Sequence, residues 1–332
     1  MLVKDLMPNF ELFRPATLKD AFTVLDRYGK DGYVVAGGHD SLTWFKERIK
    51  RPKAVVDISG LPGMSGVKET ADGIEIGPLT TLSELAKDPI IKSKYRILAD
   101  AASRVASPQI RNVGTVGGNV SQDARCWYYR YGLPCYRAGG NTCFADTPEG
   151  VNREHALFDT DRCVTVNPSD TAPVFTALDA KFVLRSSKGE RVLGPEEFFI
   201  GPKTDITHLT SMRPGEILVA IRVPKTWAGA NFYFEKVADR NSWDFALVNV
   251  AAAFKVTNGN ITDSRIVCGA VSAVPRRLTG VEEIVKGKPQ GEDIAKLAGQ
   301  SATRGARPLN YNQFKIPLMA NLVTRAVRDA KA

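Results

Sequence analysis

Four of the five cysteines, Cys126, Cys135, Cys143 and Cys163, fall within 38 residues, while the other 294 hold only Cys268. A stretch this dense in thiols raises three readings: a disulfide framework, a metal centre, or structural thiols. Disulfide frameworks belong mainly to small secreted domains, and a chain of 332 residues is not one. Zinc sites usually contain a short knuckle with two to four residues between a pair of ligands. Here the gaps are eight, seven and nineteen residues. Long irregular gaps suit a loop wrapped around a larger object, such as a cubane iron–sulfur cluster held by four thiolates. Spacing alone leaves cluster, zinc and structural thiols all open. Cys268 sits in the apolar run IVCGAV and reads as a small core residue.

The rest of the chain is large enough for two domains at roughly 150 residues each. Its 43% hydrophobic and 24% charged content exclude a disordered or fibrous protein. No run approaches the ~18 apolar residues of a membrane span. The opening MLVKDLMPNF lacks a basic-then-apolar export pattern, so a soluble protein with no export signal of its own is expected. Lys and Arg number 45 against 36 Asp and Glu, a net charge of +9. These charges are spread along the chain without a basic block, so no nucleic-acid partner is expected. A basic surface also suits docking to acidic partners.

The pattern opens with a helix after Thr17, whose apolar face is Ala21, Phe22, Val24 and Leu25. A short strand at 33–35 runs into Ala36-Gly37-Gly38-His39-Asp40-Ser41, and a second strand covers 54–58. Beyond about residue 62 the alternation of GVKETADGIEIGP predicts a hairpin turning at Asp72-Gly73. Helices are expected at about 81–87 and 95–106, then a second glycine loop with Gly114, Gly117 and Gly118. Residues 123–168 read as a long loop, and loops of that length usually have a function. Helix and strand resume at 171–180, 182–186 and 215–221, and 224–231 reads as a linker. The last hundred residues predict strands at 231–238, 246–255 and 261–271, a turn at Asn258-Gly259-Asn260, and helices at 280–286, 291–303 and 315–330. That is a small domain of one sheet backed by helices.

Glycine lets backbone N–H groups approach a ligand, and consecutive N–H groups form anion-binding nests. Neither loop matches G-x-G-x-x-G or G-K-[ST]. A Gly-Gly pair alone is more often a plain turn. Two such loops, one in each half of the first domain, suggest a shared cofactor without naming it.

Together AGGHDSL at 36–42, IGPLTTLSEL at 76–85, IRNVGTVGGNV at 110–120, NPSDTAP at 167–173 and EKVADRNSWDFALV at 235–248 carry a family resemblance along essentially the whole chain. The sequence resembles the FAD-binding medium subunit of the xanthine-dehydrogenase-like molybdenum hydroxylases. That resemblance implies an α+β protein, with a two-lobed FAD-binding domain of the molybdenum-hydroxylase (PCMH) type over 1–224. Its lobes would cover about 1–61 and 62–224, with an insertion at about 123–168. A small α+β domain of one antiparallel sheet with helices would follow over 231–332. The insertion is similar to that of members that bind a [4Fe-4S] cluster beside the flavin, of the aldehyde oxidoreductase or 4-hydroxybenzoyl-CoA reductase type. N-R-x-H-A at 152–156 and a cysteine just before NPSD look closer to the former. The resemblance then implies Cys126, Cys135, Cys143 and Cys163 as cluster ligands.

For FAD the resemblance implies a pyrophosphate cradle from Val34, Val35, Ala36, Gly37, Gly38, His39, Asp40 and Ser41. His39 stands where Thr is commoner. Ile110, Thr115, Gly118, Asn119 and Ser121 would come from the second loop, and Asp170 would accept from ribityl or ribose hydroxyls. Leu218 would pack near the isoalloxazine, with Lys236 at its pyrimidine edge. Plainer readings stand beside these: Asp170 as a helix N-cap, and Lys236 as a solvated strand residue. His155 and His208 read as structural or surface residues, and Trp127, Tyr128 and Tyr129 as a shield for the cluster.

The expected function is electron transfer, with substrate oxidised on a large partner subunit carrying the molybdenum cofactor. Electrons would pass through a small partner subunit with [2Fe-2S] clusters to FAD, and on to an external carrier such as ferredoxin. No residue of this chain is expected to be catalytic in itself. The rival classes are a stand-alone FAD oxidoreductase, for which no general base stands out, and a zinc-stabilised binding module. The expected compartment is the cytoplasm, or the periplasm if a partner carries the export signal.

Overall fold

The computed structural model describes residues 7–331; residues 1–6 and 332, at the outer ends of the two expected domains, lie outside the described residues. The first lobe is a three-stranded parallel sheet of β1 (Glu11–Phe13), β2 (Gly32–Val35) and β3 (Ala54–Asp57), in the order β1-β3-β2. A helix over Leu18–Tyr28 covers it, started by Thr17, whose side chain accepts from the Asp20 N–H. Ala21, Phe22 and Leu25 bury against Val56 and Ile58, while Val24 is only partly buried. Strand β1 was not legible in the sequence because its three residues are mostly exposed and carry no alternation.

The second lobe is an antiparallel sheet in the order β4-β5-β8-β6-β7, formed by β4 (Val67–Thr70), β5 (Gly73–Ile76), β6 (Lys181–Ser186), β7 (Gly189–Leu193) and β8 (Ile217–Pro224). Its first hairpin turns at Ala71-Asp72, because Thr70 pairs with Gly73. Gly73 is required for another reason: a Cβ there would lie 2.1 Å from the Val223 carbonyl oxygen. The expected helix at 95–106 ends at Ser103, and Ala106 has a φ of 43°. One hydrophobic core joins this sheet to the helices Leu82–Lys87, Arg96–Ser103 and Ala172–Ala177. The linker is fastened rather than free, since Trp227 is fully buried and its Nε1 donates to Asp179 Oδ2 at 3.0 Å.

The C-terminal sheet has the order β12-β11-β10-β9, from β9 (Asn231–Val237), β10 (Val248–Thr257), β11 (Asn260–Gly269) and β12 (Arg276–Arg277). Thr257 pairs with Asn260 across Asn258-Gly259, both at positive φ, as a tight hairpin of this composition requires. Strand β10 is buried on both faces. Val248, Val250, Ala252 and Phe254 pack with the helices Glu292–Ala302 and Lys315–Asp329, while Ala251 and Ala253 join the core of the second lobe. This two-sided burial locks the C-terminal domain onto the second lobe, and β9 and β10 bring Lys236 and Asn249 to Asp170.

Candidate functional site: a glycine cleft and a cysteine pocket

Strand β2 delivers the chain into Ala36, Gly37, Gly38, His39 and Asp40, and a short helix begins at Ser41. Gly38 has a φ of 75°, which explains one glycine. The other is explained by proximity: a Cβ on Gly37 would lie 2.4 Å from the Val113 carbonyl oxygen and 3.1 Å from Gly114 Cα. The two glycine loops therefore touch. Among the described residues no protein acceptor takes the N–H groups of Gly38, His39 and Asp40.

The second loop is held from behind by the IGPLTT segment. Val116 and Gly117 donate to the carbonyls of Thr80 and Pro78, each at 2.8 Å, and Gly117 leaves no room for a side chain against Pro78. Thr115 accepts from the Gly118 N–H at 3.1 Å. The buried Asn119 accepts through Oδ1 from Ser169 and Thr171 at 2.7 and 2.6 Å, tying this loop to the NPSD segment.

Between the loops lies a cleft of about 430 Å³, within the usual range of roughly 300–1,000 Å³ for small-molecule sites. It is lined by Val34, Val35, Ala36, Gly37, Gly38, His39, Asp40, Ser41, Ile110, Thr115, Gly118, Asn119, Ser121 and Asp170. Leu218 and Lys236 do not line it. Leu218 is buried in the second lobe's core. Lys236 is not solvated: it reaches under the cleft to Asp170 Oδ2 at 2.6 Å and to the carbonyls of Asp244 and Arg104. Asn249 holds the other oxygen of Asp170 at 3.0 Å. Burial pushes the Asp170 carboxyl up, and the Lys236 ammonium pulls it back. Asp170 is not the helix cap either, since Ser169 accepts from the Ala172 N–H at 3.0 Å.

A second cavity of about 710 Å³ opens beside the cleft. Both share Arg125, Pro168, Asp170, Trp243, Asp244 and Phe245 as walls. Among the described residues, four buried polar atoms on its wall residues have no hydrogen-bond partner: Arg130 Nη1, His155 Nδ1, Asn167 Nδ2 and Asn249 Oδ1. Unpaired buried donors and acceptors are costly unless a ligand or water meets them. Free loop N–H groups for a pyrophosphate, together with orphaned polar atoms beside the cleft, fit FAD.

The four cysteines of the long loop meet. Cys126, Cys135, Cys143 and Cys163 are all free thiols and line one small pocket with Tyr128, Tyr129, Phe144, Arg137 and His155. Backbone N–H groups already point at the sulfurs: those of Tyr128 and Tyr129 at Cys126, of Ala145, Asp146 and Val164 at Cys143, and of Thr165 at Cys163. Burial pushes all three of these thiols up, Cys126 to about 12. Among the described residues no three His, Cys, Asp or Glu side chains converge on a point that would hold one metal ion.

Almost without regular structure, the loop is hooked in place by side chains that no local pattern announced. Asn152 Nδ2 donates to the Ala145 carbonyl at 2.9 Å and its Oδ1 accepts from the Tyr311 N–H at 2.9 Å. Asn312 donates to the carbonyls of His155 and Ala156. The fully buried Lys315 donates to the carbonyls of Glu154, His155 and Ala270. Its pKa falls to about 7, because burial disfavours the ammonium. Arg137 pairs with Asp123, which also takes Lys50. Asp40 accepts from Arg125 Nη1 at 2.9 Å, joining the first glycine loop to the cysteine loop.

His155 is structural in part, as expected, yet it also stands 3.3 Å from Cys126 Sγ through Nε2. Burial, and then the Lys315 charge, bring its pKa down to about 4. Tyr128 and Tyr129 wall the pocket, whereas Trp127 is half-exposed and stacks on Tyr131 beside the larger cavity. His208 is exposed and bonds Asp205, and it lines none of these cavities.

Residues 8–226 match the FAD binding domain in molybdopterin dehydrogenase, and residues 233–330 match the CO dehydrogenase flavoprotein C-terminal domain. The chain belongs to the FAD-binding medium subunits of the molybdenum hydroxylases. It is 31% identical to the aldehyde oxidoreductase FAD-binding subunit PaoB of Escherichia coli (strain K12), over 90% of this chain and 91% of that one. It is 26% identical to the carbon monoxide dehydrogenase medium chain of Hydrogenophaga pseudoflava, over 98% of both. The solved carbon monoxide dehydrogenase from Hydrogenophaga pseudoflava lacking the Mo-pyranopterin moiety superposes with a TM-score of 0.77, at 25% identity and 98% coverage of both chains. This medium subunit is thus an oxidoreductase component that binds FAD. Among its described residues no helix is long and apolar enough to cross a membrane.

Proposed function

We propose that this medium subunit holds two redox groups, FAD in the glycine cleft and a [4Fe-4S] cluster on Cys126, Cys135, Cys143 and Cys163, and relays electrons in an aldehyde oxidoreductase-type complex. FAD exchanges electrons singly or in pairs, and so links a substrate oxidation on a large molybdenum-cofactor subunit, through a small [2Fe-2S] subunit, to an external carrier. The chain's own residues bind and orient. The N–H groups of Gly38, His39 and Asp40 meet the pyrophosphate, Asp170 accepts from hydroxyls of the FAD chain, and Lys236 acts through Asp170 rather than on the ring edge. Leu218 backs the site from the core.

One observation supports the second redox group above all. The four thiols share a pocket, and Cys126, His155 and Thr165 wall both that pocket and the cavity that continues into the flavin cleft. Iron, acid-labile sulfide and FAD assays on the anaerobically purified complex test it, together with a Cys135→Ser variant. The expected result is a [4Fe-4S] complement in the wild-type medium subunit that is lost in the variant while most FAD remains. A wild-type subunit without this iron, or a variant that keeps all of it, sinks the reading.

A further inference from the structure

His155 is 3% exposed, and its ring separates the cysteine pocket from the cavity that joins the flavin cleft, since it belongs to the wall of both. Its two nitrogens are differently placed. Nε2 lies 3.3 Å from Cys126 Sγ, while Nδ1 has no partner among the described residues. Its backbone is pinned independently of the ring, with the carbonyl accepting from Lys315 at 2.9 Å and Asn312 at 3.1 Å and the N–H donating to the Asn152 carbonyl. These tethers fix the main chain from which the imidazole projects. This placement is not needed for packing alone, because an apolar ring would fill the same wall without an orphaned nitrogen.

We propose that His155 is a positioning residue which donates its Nε2–H to the Cys126 thiolate and thereby makes the [4Fe-4S] cluster easier to reduce from the flavin side. The inference rests on the cluster reading above. A thiolate that ligates iron can only accept, so the ring proton belongs on Nε2, where the acceptor is. One electron added to the cluster increases the negative charge on its sulfur ligands, and no bond to the protein forms or breaks. A donor aimed at Cys126 stabilises that added charge, and hydrogen bonds to the sulfurs are among the determinants of cluster potential. His155 adds a side-chain donor to the two backbone N–H groups that already serve Cys126.

The test is an EPR-monitored redox titration of the assembled complex, comparing wild type with His155→Leu and His155→Gln, alongside iron and sulfide assays. Leucine fills the wall without a donor; the glutamine amide carries an N–H to about the same place. The expected result is full iron in both variants, a cluster midpoint potential shifted downward in His155→Leu, and a potential restored towards wild type in His155→Gln. An unchanged potential in His155→Leu with full iron overturns the inference and leaves the cluster reading intact. Loss of iron in both variants makes His155 a ligand or a brace, which also overturns it. A wild-type complex with no such cluster removes the cluster reading and this inference together.

Discussion

In the glycine cleft the ligand-facing groups are main-chain N–H donors, and the walls are regular elements: a parallel strand on one side and a capped helix on the other. The cysteine pocket reverses this. Its inward-facing groups are side-chain sulfurs, its backbone has almost no regular structure, and its order is imposed by tethers from Asn152, Asn312 and Lys315. A cradle of backbone tolerates many side chains but no added Cβ at its tightest points. A pocket of side chains suspended in a loop tolerates surface change but depends on every tether. The two meet through Asp40 and Arg125, so each can be disturbed while the other reports.

The largest effect on FAD binding is expected at Gly37→Ala. Its new Cβ would fall 2.4 Å from Val113 O, so the two loops have to separate. Overpacking of this type costs about 1–3 kcal/mol. Because charge-assisted hydrogen bonds contribute roughly 1.5–3 kcal/mol each, misplacing even one lowers FAD affinity by about tenfold or more. The visible flavin spectrum and the FAD-to-protein ratio measure it, and iron content is expected to stay at the wild-type level. Equal loss of iron would show that the two regions are not separately built.

Lys315→Met attacks the other side of the comparison. It strips the donors from three buried carbonyls, and unsatisfied buried groups cost about 1–3 kcal/mol each. The expected outcome is a lower unfolding midpoint and reduced iron retention, with FAD binding much less affected. The pH dependence carries a sign. Lys315 has a pKa of about 7 in the folded chain against an ordinary 10.5. Between those values the unfolded chain binds the additional proton, so this group makes the native state more stable as pH rises through that window. The difference in unfolding midpoint between wild type and Lys315→Met is therefore expected to grow from about pH 7 towards pH 10.5. A difference that stays flat would mean the lysine is not buried in a desolvated state.

The same contrast decides what could be read from the chain alone. The cleft was legible because its signals are local: one glycine pair after a short strand and a second glycine loop in the other half of the domain. The cysteine loop was legible only in its four cysteines, which the fold gathers into one pocket. Its tethers lie some 160 residues further along the chain, as with Lys315 and His155, and no local periodicity links such positions. Lys315 itself falls at the start of an amphipathic helix, where a lysine is ordinarily solvated. Asp170 and Lys236 were assigned separate ligand contacts, yet the structure spends Lys236 on Asp170, because β9 brings them together only when the two domains pack. Trp243 and Phe245, within a motif already singled out, line the cleft without having been assigned to it.

Trp127 sharpens the comparison from its weakest side. It follows Cys126 directly, and adjacency suggests a hydrophobic shield over the sulfurs. The helix Trp127–Arg130 instead turns Tyr129 inwards and leaves Trp127 51% exposed, stacked on Tyr131 with the rings 6.5 Å apart. Exposed positions away from tethers usually change stability by about 0.5 kcal/mol or less. Trp127→Ala is therefore expected to leave iron content, cluster spectrum and unfolding midpoint close to wild type, whereas Tyr129→Ala, which removes a buried ring from the pocket wall, is expected to lower all three. If Trp127→Ala bleached the cluster as strongly as Tyr129→Ala, protection would follow chain adjacency and not burial, and the distinction between ligands carried by the loop and walls supplied by packing would fail.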